Sequence, residues 1–269
     1  RRSRDLSARI QRLPKRRDEI GRLSESLIDL TDELQQRMAA TAGFAADVAH
    51  ELKNPLSSLR SAAETISHIS DPDQQSKLMD VILKDVARLD RLISDISQAS
   101  RVDNEIASQT GEVVDLGKLI ESFVQTRQAT IDTHKLVCKL PDGPHGAVPA
   151  LIHDSRIVQV LDNLLANALS FAPRDSEITI ALMRNDADRM AIVEFMDQGP
   201  GIPPGRLDAV FDRFYTERPT QEAFGQHSGL GLSIARQIMR GHGGDLVASN
   251  RDGACFSMTL PLADAKTSG

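Results

Sequence analysis

The sequence predicts a long helical hairpin followed by a mixed α/β domain, and three observations carry that prediction. From Asp18 to about Arg101 apolar residues recur at steps of three and four, with Gly and Pro scarce, the mark of amphipathic helices. That pattern breaks once, at Asp71-Pro72-Asp73, a turn signal. After Thr110-Gly111 short strand-like runs alternate with shorter helical ones, which indicates packed layers of sheet and helix.

In the first part, Ile20, Leu23, Leu27, Leu30, Leu34 and Met38 form a seam with coiled-coil spacing. Gly43 and Pro55 interrupt the run, and Pro55 is expected to kink its helix because it removes a backbone donor. Beyond the turn the pattern resumes with Leu78, Ile82, Leu89, Leu92 and Ile96. Each helix alone leaves an apolar stripe exposed. Pairing two antiparallel hairpins into a four-helix bundle buries both stripes, which predicts a homodimer. In the second part, strands are expected over 135–140, 177–183, 190–196, 245–249 and 254–260, with helices over 116–131, 155–171 and 232–240. A polar tail begins near Ala263.

Composition narrows the function classes. A hydrophobic fraction of 40% supports a real core, and with no Trp and one Tyr that core must be mostly aliphatic. The net charge of −6 argues against a general nucleic-acid binder. The first 17 residues are locally basic, a pattern shared by segments that lie on anionic lipid and by solvated linkers. Cys138 and Cys255 belong to no CxxC pair or zinc-spaced cluster, and read as small reduced residues. No signal peptide and no apolar run of membrane-spanning length is visible. That absence reads as a soluble chain, and a first residue of Arg suggests a piece of a longer protein.

Four clusters of residues carry chemistry. In FAADVAHELKNPL, His50 lies off the seam set by Val48 and Leu52 and is followed by Glu51. A neutral imidazole is a competent nucleophile, and a neighbouring carboxylate can accept its ring proton. Asn54 shares the face of His50 one turn on, where a carboxamide can orient water. A helical His followed by Glu is also common on any solvated surface. Asn163 and Asn167 stand i,i+4 on an otherwise apolar helix, an unfavourable placement without a function. A carboxamide oxygen suits Mg²⁺; N-capping or buried hydrogen bonding would also explain the pair, but both positions look mid-helix. Asp197-Gln198-Gly199-Pro200-Gly201-Ile202 directly follows a strand; Asp can accept from an adenine amino group, and the glycines allow close approach of a ligand or an ordinary turn. Ser228-Gly229-Leu230-Gly231-Leu232 opens a helix, where free amides can cradle phosphate. The other six histidines (His68, His134, His145, His153, His227 and His242) read as surface or structural residues.

In order, these blocks resemble those of the sensor histidine kinases of bacterial two-component systems. HELKNP is similar to the phosphoacceptor H-box, NLLANA to the N-box, DQGPGI to the G1 box, FDRFY (Phe211, Asp212, Arg213, Phe214, Tyr215) to the F-box and SGLGL to the G2 box. His242-Gly243-Gly244 with Gly253 and Phe256 resembles the last glycine-rich segment, and residues 17–23 resemble the end of a HAMP linker. The wording FAADVAHELKNPL and an Arg-poor lid are similar to the ChvG-like kinases of alphaproteobacteria. The resemblance covers nearly the whole chain.

The resemblance implies a HAMP remnant and signalling coiled coil over 1–38, and a dimerisation and phosphotransfer domain over 39–108. An ATP-binding domain of the GHKL (Bergerat) α/β sandwich fold would span 109–263, and a tail 264–269. It implies that His50 takes the γ-phosphoryl group of Mg-ATP with Glu51 as base. Asn54 would position water for a phosphatase activity, Asn167 would hold Mg²⁺, Asn163 would support the phosphates and Asp197 would read adenine. Gly199, Gly201, Ile202, Phe214, Tyr215, Ser228, Gly229, Leu230, Gly231 and Leu232 would complete the nucleotide site, under a lid from Asp212 to His227 that contains Pro219 and Gly225. The implied partners are a second copy of the chain and a response regulator's receiver domain. The implied location is the cytoplasmic portion of a bacterial inner-membrane protein, attached through a preceding transmembrane segment.

Three positions depart from the family pattern. Ser170 and Phe171 stand where many members carry Lys or Arg and then Tyr, and Thr216 stands where many carry Arg. Phosphoryl transfer depends on cations near the migrating charge, so Arg213 and Arg218 are candidate substitutes. A water-activating GHKL ATPase would need Glu at the position of Asn163, which cannot act as a base. A phosphatase-dominant chain or a degenerate dimeric scaffold are the alternatives that the missing cations leave.

Overall fold

The computed structural model describes residues 19–108, 111–141, 147–215 and 228–263. The basic stretch before residue 18, Arg17 and Asp18 of the HAMP-like segment, His145, most of the lid (Thr216, Arg218, Pro219, Gly225 and His227 included) and the tail from residue 264 lie outside the described residues. The chain divides into two compact units, Arg1–Leu78 and Met79–Gly269.

The first unit is dominated by one helix, α1 (Glu19–Ile66, 48 residues). It runs through both Gly43 and Pro55, so the interruption expected at Gly43 does not occur. The apolar spacing continues on either side, and Pro55 removes only the donor to the carbonyl of residue 51 while the rest of the ladder persists. Leu23, Leu27, Leu30, Leu34 and Met38 of the predicted seam are each more than half exposed in the single chain. The turn signal is used as expected. Pro72 opens α2 (Pro72–Ser108), and the Asp71 carboxylate accepts from Asp73 N at 3.0 Å, an N-cap followed by Pro at the first helical position.

The second unit takes the later part of α2 with it. It contains a five-stranded sheet of order β2-β4-β5-β7-β6, formed by β2 (Lys135–Lys139), β4 (Glu177–Asn185), β5 (Met190–Met196), β6 (Asp245–Asn250) and β7 (Ala254–Pro261). Only the β2–β4 pair is parallel. All five strands were expected from apolar runs. A two-stranded sheet of β1 (Glu112–Asp115) and β3 (Pro149–Ile152) was not. These strands are four residues each, and β1 is half acidic, so neither presents a readable alternation.

The helices α3 (Leu116–Gln128), α4 (Asp154–Phe171) and α5 (Gly231–Gly241) complete the unit. Asp115 caps α3, accepting from Gly117 N at 3.0 Å and Val148 N at 3.2 Å. The helix stops short of the expected residue 131 because the Gln128 side chain binds backbone groups beyond its end. Its amide donates to the carbonyls of Ile131 and His134, and its oxygen accepts from Leu136 N at 2.6 Å. The core is mostly aliphatic, as composition predicted. Ile178, Ile180 and Leu182 alternate along β4, and with Phe195, Met258 and Leu260 they are buried, as are Ile120, Ile157, Leu161, Leu164, Ile234 and Ile238 on the helices. Arg127 and Asp162 join α3 to α4 by a bidentate ion pair at 2.7 and 2.6 Å. Because both side chains remain more than a third exposed, it contributes about 0.5–1 kcal/mol.

One buried contact gives the fold a pH dependence. His242 Nδ1 lies 2.8 Å from the Ile238 carbonyl and so carries the proton, while Nε2 accepts from His153 N at 3.1 Å. The two rings meet edge-on with centroids 5.3 Å apart. Burial pushes the His242 pKa down, the Ile238 bond opposes this and His153 adds to it. The unfolded chain therefore binds a proton near pH 6.5 that the folded chain resists. The stability from neutral His242 is fully present above that pH and is lost as pH falls toward the depressed folded value. Thermal melts between pH 7.5 and 5.5 should show a falling midpoint, with a shallower slope in His242→Gln.

Candidate functional site

Within the second unit, a cavity of about 430 Å³ opens between α4, the start of α5, the loop after β5 and the later part of α2. The volume is in the range of small-molecule sites. Its walls bring together sequence blocks that are far apart in the chain: Asn163 and Asn167 from α4, Asp197, Gly201 and Ile202 after β5, Tyr215, and Ser228, Gly229, Gly231 and Leu232.

Asp197 is placed by backbone pairing at the end of β5. Its N donates to the Ala254 carbonyl at 3.0 Å. Its Oδ1 accepts from Gly199 N at 2.8 Å and Ala254 N at 3.2 Å. Both bonds fall on one oxygen, so Oδ2 is the atom available to a ligand. Burial pushes the carboxyl above the ordinary carboxylate range, and the two N–H groups act against that. Gly253 makes the placement possible: a Cβ there would collide with the Asp197 carbonyl oxygen. The loop after Asp197 is pinned by Asn250, whose carboxamide accepts from Ile202 N and donates to Ile202 O, each at 2.8 Å.

At the other wall the Asn163 amide donates to the Gly231 carbonyl at 2.9 Å, tying α4 to the first residue of α5. Gly229 adopts φ +73°, and a Cβ there would lie 2.8 Å from Phe214 Cα. Phe214 N donates to Gly229 O at 2.9 Å, so the aromatic segment and the glycine segment hold each other. The Ser228 hydroxyl donates to the Asp95 carboxylate of α2 and accepts from Leu230 N at 3.2 Å. Phe211 is buried against Phe256, with Arg236 stacked over its ring at 4.6 Å.

Three of the expected nucleotide residues do not line the cavity. Gly199 stands behind it as a donor to Asp197. Phe214 takes part through its backbone. Leu230 is a core residue, 1% exposed. Several lining residues were missed, among them Arg91 and Asp95 of α2, Ala166, Pro203 and Val210, together with Asn250 just behind them. Arg91 and Asp95 carried a weak signal, opposite charges at i,i+4, but nothing local says which surface they meet. Arg213 is exposed and does not line the cavity.

His50, Glu51 and Asn54 lie together on α1 in the first unit. His50 and Asn54 are exposed, Glu51 is half-buried, and Val48 and Leu52 mark the more buried face. Among the described residues no group of three His, Cys, Asp or Glu side chains is placed to hold a metal. Asn167, which lines the cavity, carries a neutral carboxamide oxygen. That suits Mg²⁺, which commonly takes one or two protein oxygens, keeps water and binds phosphate oxygens.

An exposed histidine beside a carboxylate on a long helix, and a glycine-lined cavity in an α/β unit, fit a phosphoacceptor segment joined to a nucleotide-binding domain. Residues 40–105 match the His Kinase A (phospho-acceptor) domain, and residues 152–264 match the histidine kinase-, DNA gyrase B- and HSP90-like ATPase domain. The chain is 45% identical to the sensor protein ChvG of Agrobacterium fabrum over 262 residues, covering 93% of this chain and 44% of ChvG. It is 46% identical to ChvG of Rhizobium meliloti, covering 91% of this chain and 44% of that protein. A solved structure of the histidine kinase ThkA in complex with the response regulator protein TrrA aligns with a TM-score of 0.60 and 26% identity, covering 86% of this chain and 65% of that one. The chain belongs to the sensor histidine kinases, in the subgroup that resembles ChvG. It spans less than half the length of the ChvG relatives it matches. The residues matched to the ATPase domain include most of those that line the cavity.

Proposed function

We propose that this chain phosphorylates its own His50 from Mg-ATP held in the cavity, then passes the phosphoryl group to an aspartate of a response regulator's receiver domain. The observation that carries this reading is the presence in one chain of an exposed His50 beside Glu51 and a cavity lined by Asn163, Asn167, Asp197 and residues of the Ser228–Leu232 glycine segment. In the first step the bond between the γ-phosphorus and the ADP oxygen breaks. A bond from a His50 ring nitrogen to phosphorus forms, and the ring proton passes to Glu51. Asp197 reads the adenine amino group, Asn163 and the backbone amides at the start of α5 support the phosphates, and Asn167 holds Mg²⁺. The ion, when bound, offsets phosphate charge. Gly201, Ile202 and Tyr215 shape the walls of the site. Asn54, one turn from His50, orients water for removal of the phosphoryl group from the partner.

The exposed seam from Leu23 to Met38 supports a homodimer, because it is too apolar to leave in water. ThkA in complex with TrrA supports a receiver-domain partner. No helix among the described residues is long and apolar enough to cross a membrane; membrane attachment would come from the part of the protein that precedes residues 1–38. We assign 39–108 to dimerisation and phosphotransfer, 109–263 to ATP binding and 264–269 to a tail.

Incubation with Mg²⁺ and ATP labelled at the γ position should leave acid-labile, alkali-stable label on the protein, and ATP labelled at the α position should leave none. A chain that binds ATP and retains no γ label would overturn the kinase reading.

A further inference from the structure

The cavity wall contributed by α2 belongs to no nucleotide-binding block of the sequence. Arg91 and Asp95 stand one turn apart on it and both line the cavity. Arg91 Nε donates to the Ala87 carbonyl at 3.2 Å, which holds the side chain along the helix. Asp95 accepts from the Ser228 hydroxyl, at the head of the glycine segment that opens α5. Burial pushes the Asp95 carboxyl up, and the Ser228 bond and the charge of Arg91 draw it back down.

A triphosphate brings several negative charges into a cavity whose walls already carry Asp197 and Asp95. Among the described residues that line it, Arg91 is the only basic one. The positions where family members often carry cations hold Ser170 and Thr216 instead. We propose that Arg91 is the cation that meets the phosphate chain of the nucleotide, and that Asp95 is its counter-ion, which gives up Ser228 when the phosphates arrive. The assignment rests on the cavity being the ATP site. Asp95 and a phosphate group cannot both accept from Ser228 at close range without like-charge repulsion, so nucleotide entry and the Asp95–Ser228 bond exclude each other. Arg91, held on the same face one turn away, gains in the phosphate a partner that takes two parallel N–H bonds. Arg91 lies within the residues matched to the phosphoacceptor domain, outside those matched to the ATPase domain. The grip on ATP therefore depends on α2, and the position of that helix becomes a control on nucleotide affinity.

The test is calorimetric titration of the full chain with Mg-ATP and with adenosine, for wild type, Arg91→Ala, Arg91→Lys and Asp95→Asn, with melting curves to verify the fold of each. Arg91→Ala should weaken ATP about tenfold, in line with the loss of a charge-assisted contact that is partly solvent-screened, and leave adenosine within about twofold. Arg91→Lys should recover part of the loss, and Asp95→Asn should tighten ATP several-fold with adenosine unchanged. Wild-type ATP affinity in Arg91→Ala, or an equal loss for ATP and adenosine, would overturn the proposal while leaving the nucleotide site in place. If wild type binds neither ligand, the site assignment itself fails, and this proposal with it.

Discussion

Replacing His50 by Gln is expected to abolish phosphoryl labelling of the chain while leaving its fold and its affinity for ATP unchanged. His50 is exposed on α1, in the first unit, whereas the cavity residues lie in the second. Gln keeps much of the length and polarity of His and is a better helix former, so the substitution should move stability by no more than about 0.5 kcal/mol. It removes the ring nitrogen that would bond to phosphorus, and a carboxamide is not a nucleophile of comparable strength. The expected result is no acid-labile label above background, with the calorimetric ATP affinity and melting midpoint of wild type. Label retained at wild-type level would place the phosphoacceptor elsewhere and remove the basis for the kinase mechanism built on His50.

Asp197→Asn should separate binding from stability. In the folded chain Oδ1 of Asp197 accepts from Gly199 N and Ala254 N, and the carboxamide oxygen of Asn can take over both bonds. The second atom changes: it becomes an N–H donor and meets the adenine amino group donor to donor. Losing a hydrogen bond to a charged group removes about 1.5–3 kcal/mol, so ATP affinity should fall by about 10- to 100-fold. Stability should move the other way. Burial raises the carboxyl pKa above its ordinary value, which means the stability tied to its protonated form is present below about pH 3.9 and is lost as pH rises through the folded value. At pH 7 the folded chain holds a desolvated charge that Asn does not carry. The Asn variant should therefore melt at the same temperature as wild type or higher at pH 7, and that advantage should shrink as pH is lowered toward 4. Unchanged ATP binding in this variant would remove Asp197 from adenine recognition.

Much of this architecture is legible in the chain because it rests on local patterns. The long helices follow from apolar spacing, the α1–α2 connection from Asp71-Pro72-Asp73, and each strand of the main sheet from an apolar run. The short β1–β3 pair is not legible, since four residues carry no period and the pairing joins segments more than thirty residues apart. The same distinction holds at the cavity. Asn163 and Asn167 announce themselves as misplaced polar residues on an apolar helix, and Asp197 as a carboxylate before glycines. Asn250, in contrast, is an ordinary strand-end residue until its carboxamide is seen clasping Ile202.

Residue type and short spacing were therefore enough to show the long helices and the strands of the main sheet, which histidine stands beside a carboxylate off the apolar seam, and most of the blocks that line the cavity. Those properties survive without any knowledge of neighbours. Folding in three dimensions was needed to show that Gly253 must lack a side chain, that Gly199 and Leu230 support the cavity from behind, and that Arg91 and Asp95 of α2 belong to its wall. Each of these depends on contacts between residues distant in the chain, from the close approach of Gly253 to the Asp197 carbonyl to the Asp95–Ser228 hydrogen bond. Such contacts arise only once the sheet and helices pack, because close approach of backbones and the pairing of polar groups across elements have no local signature.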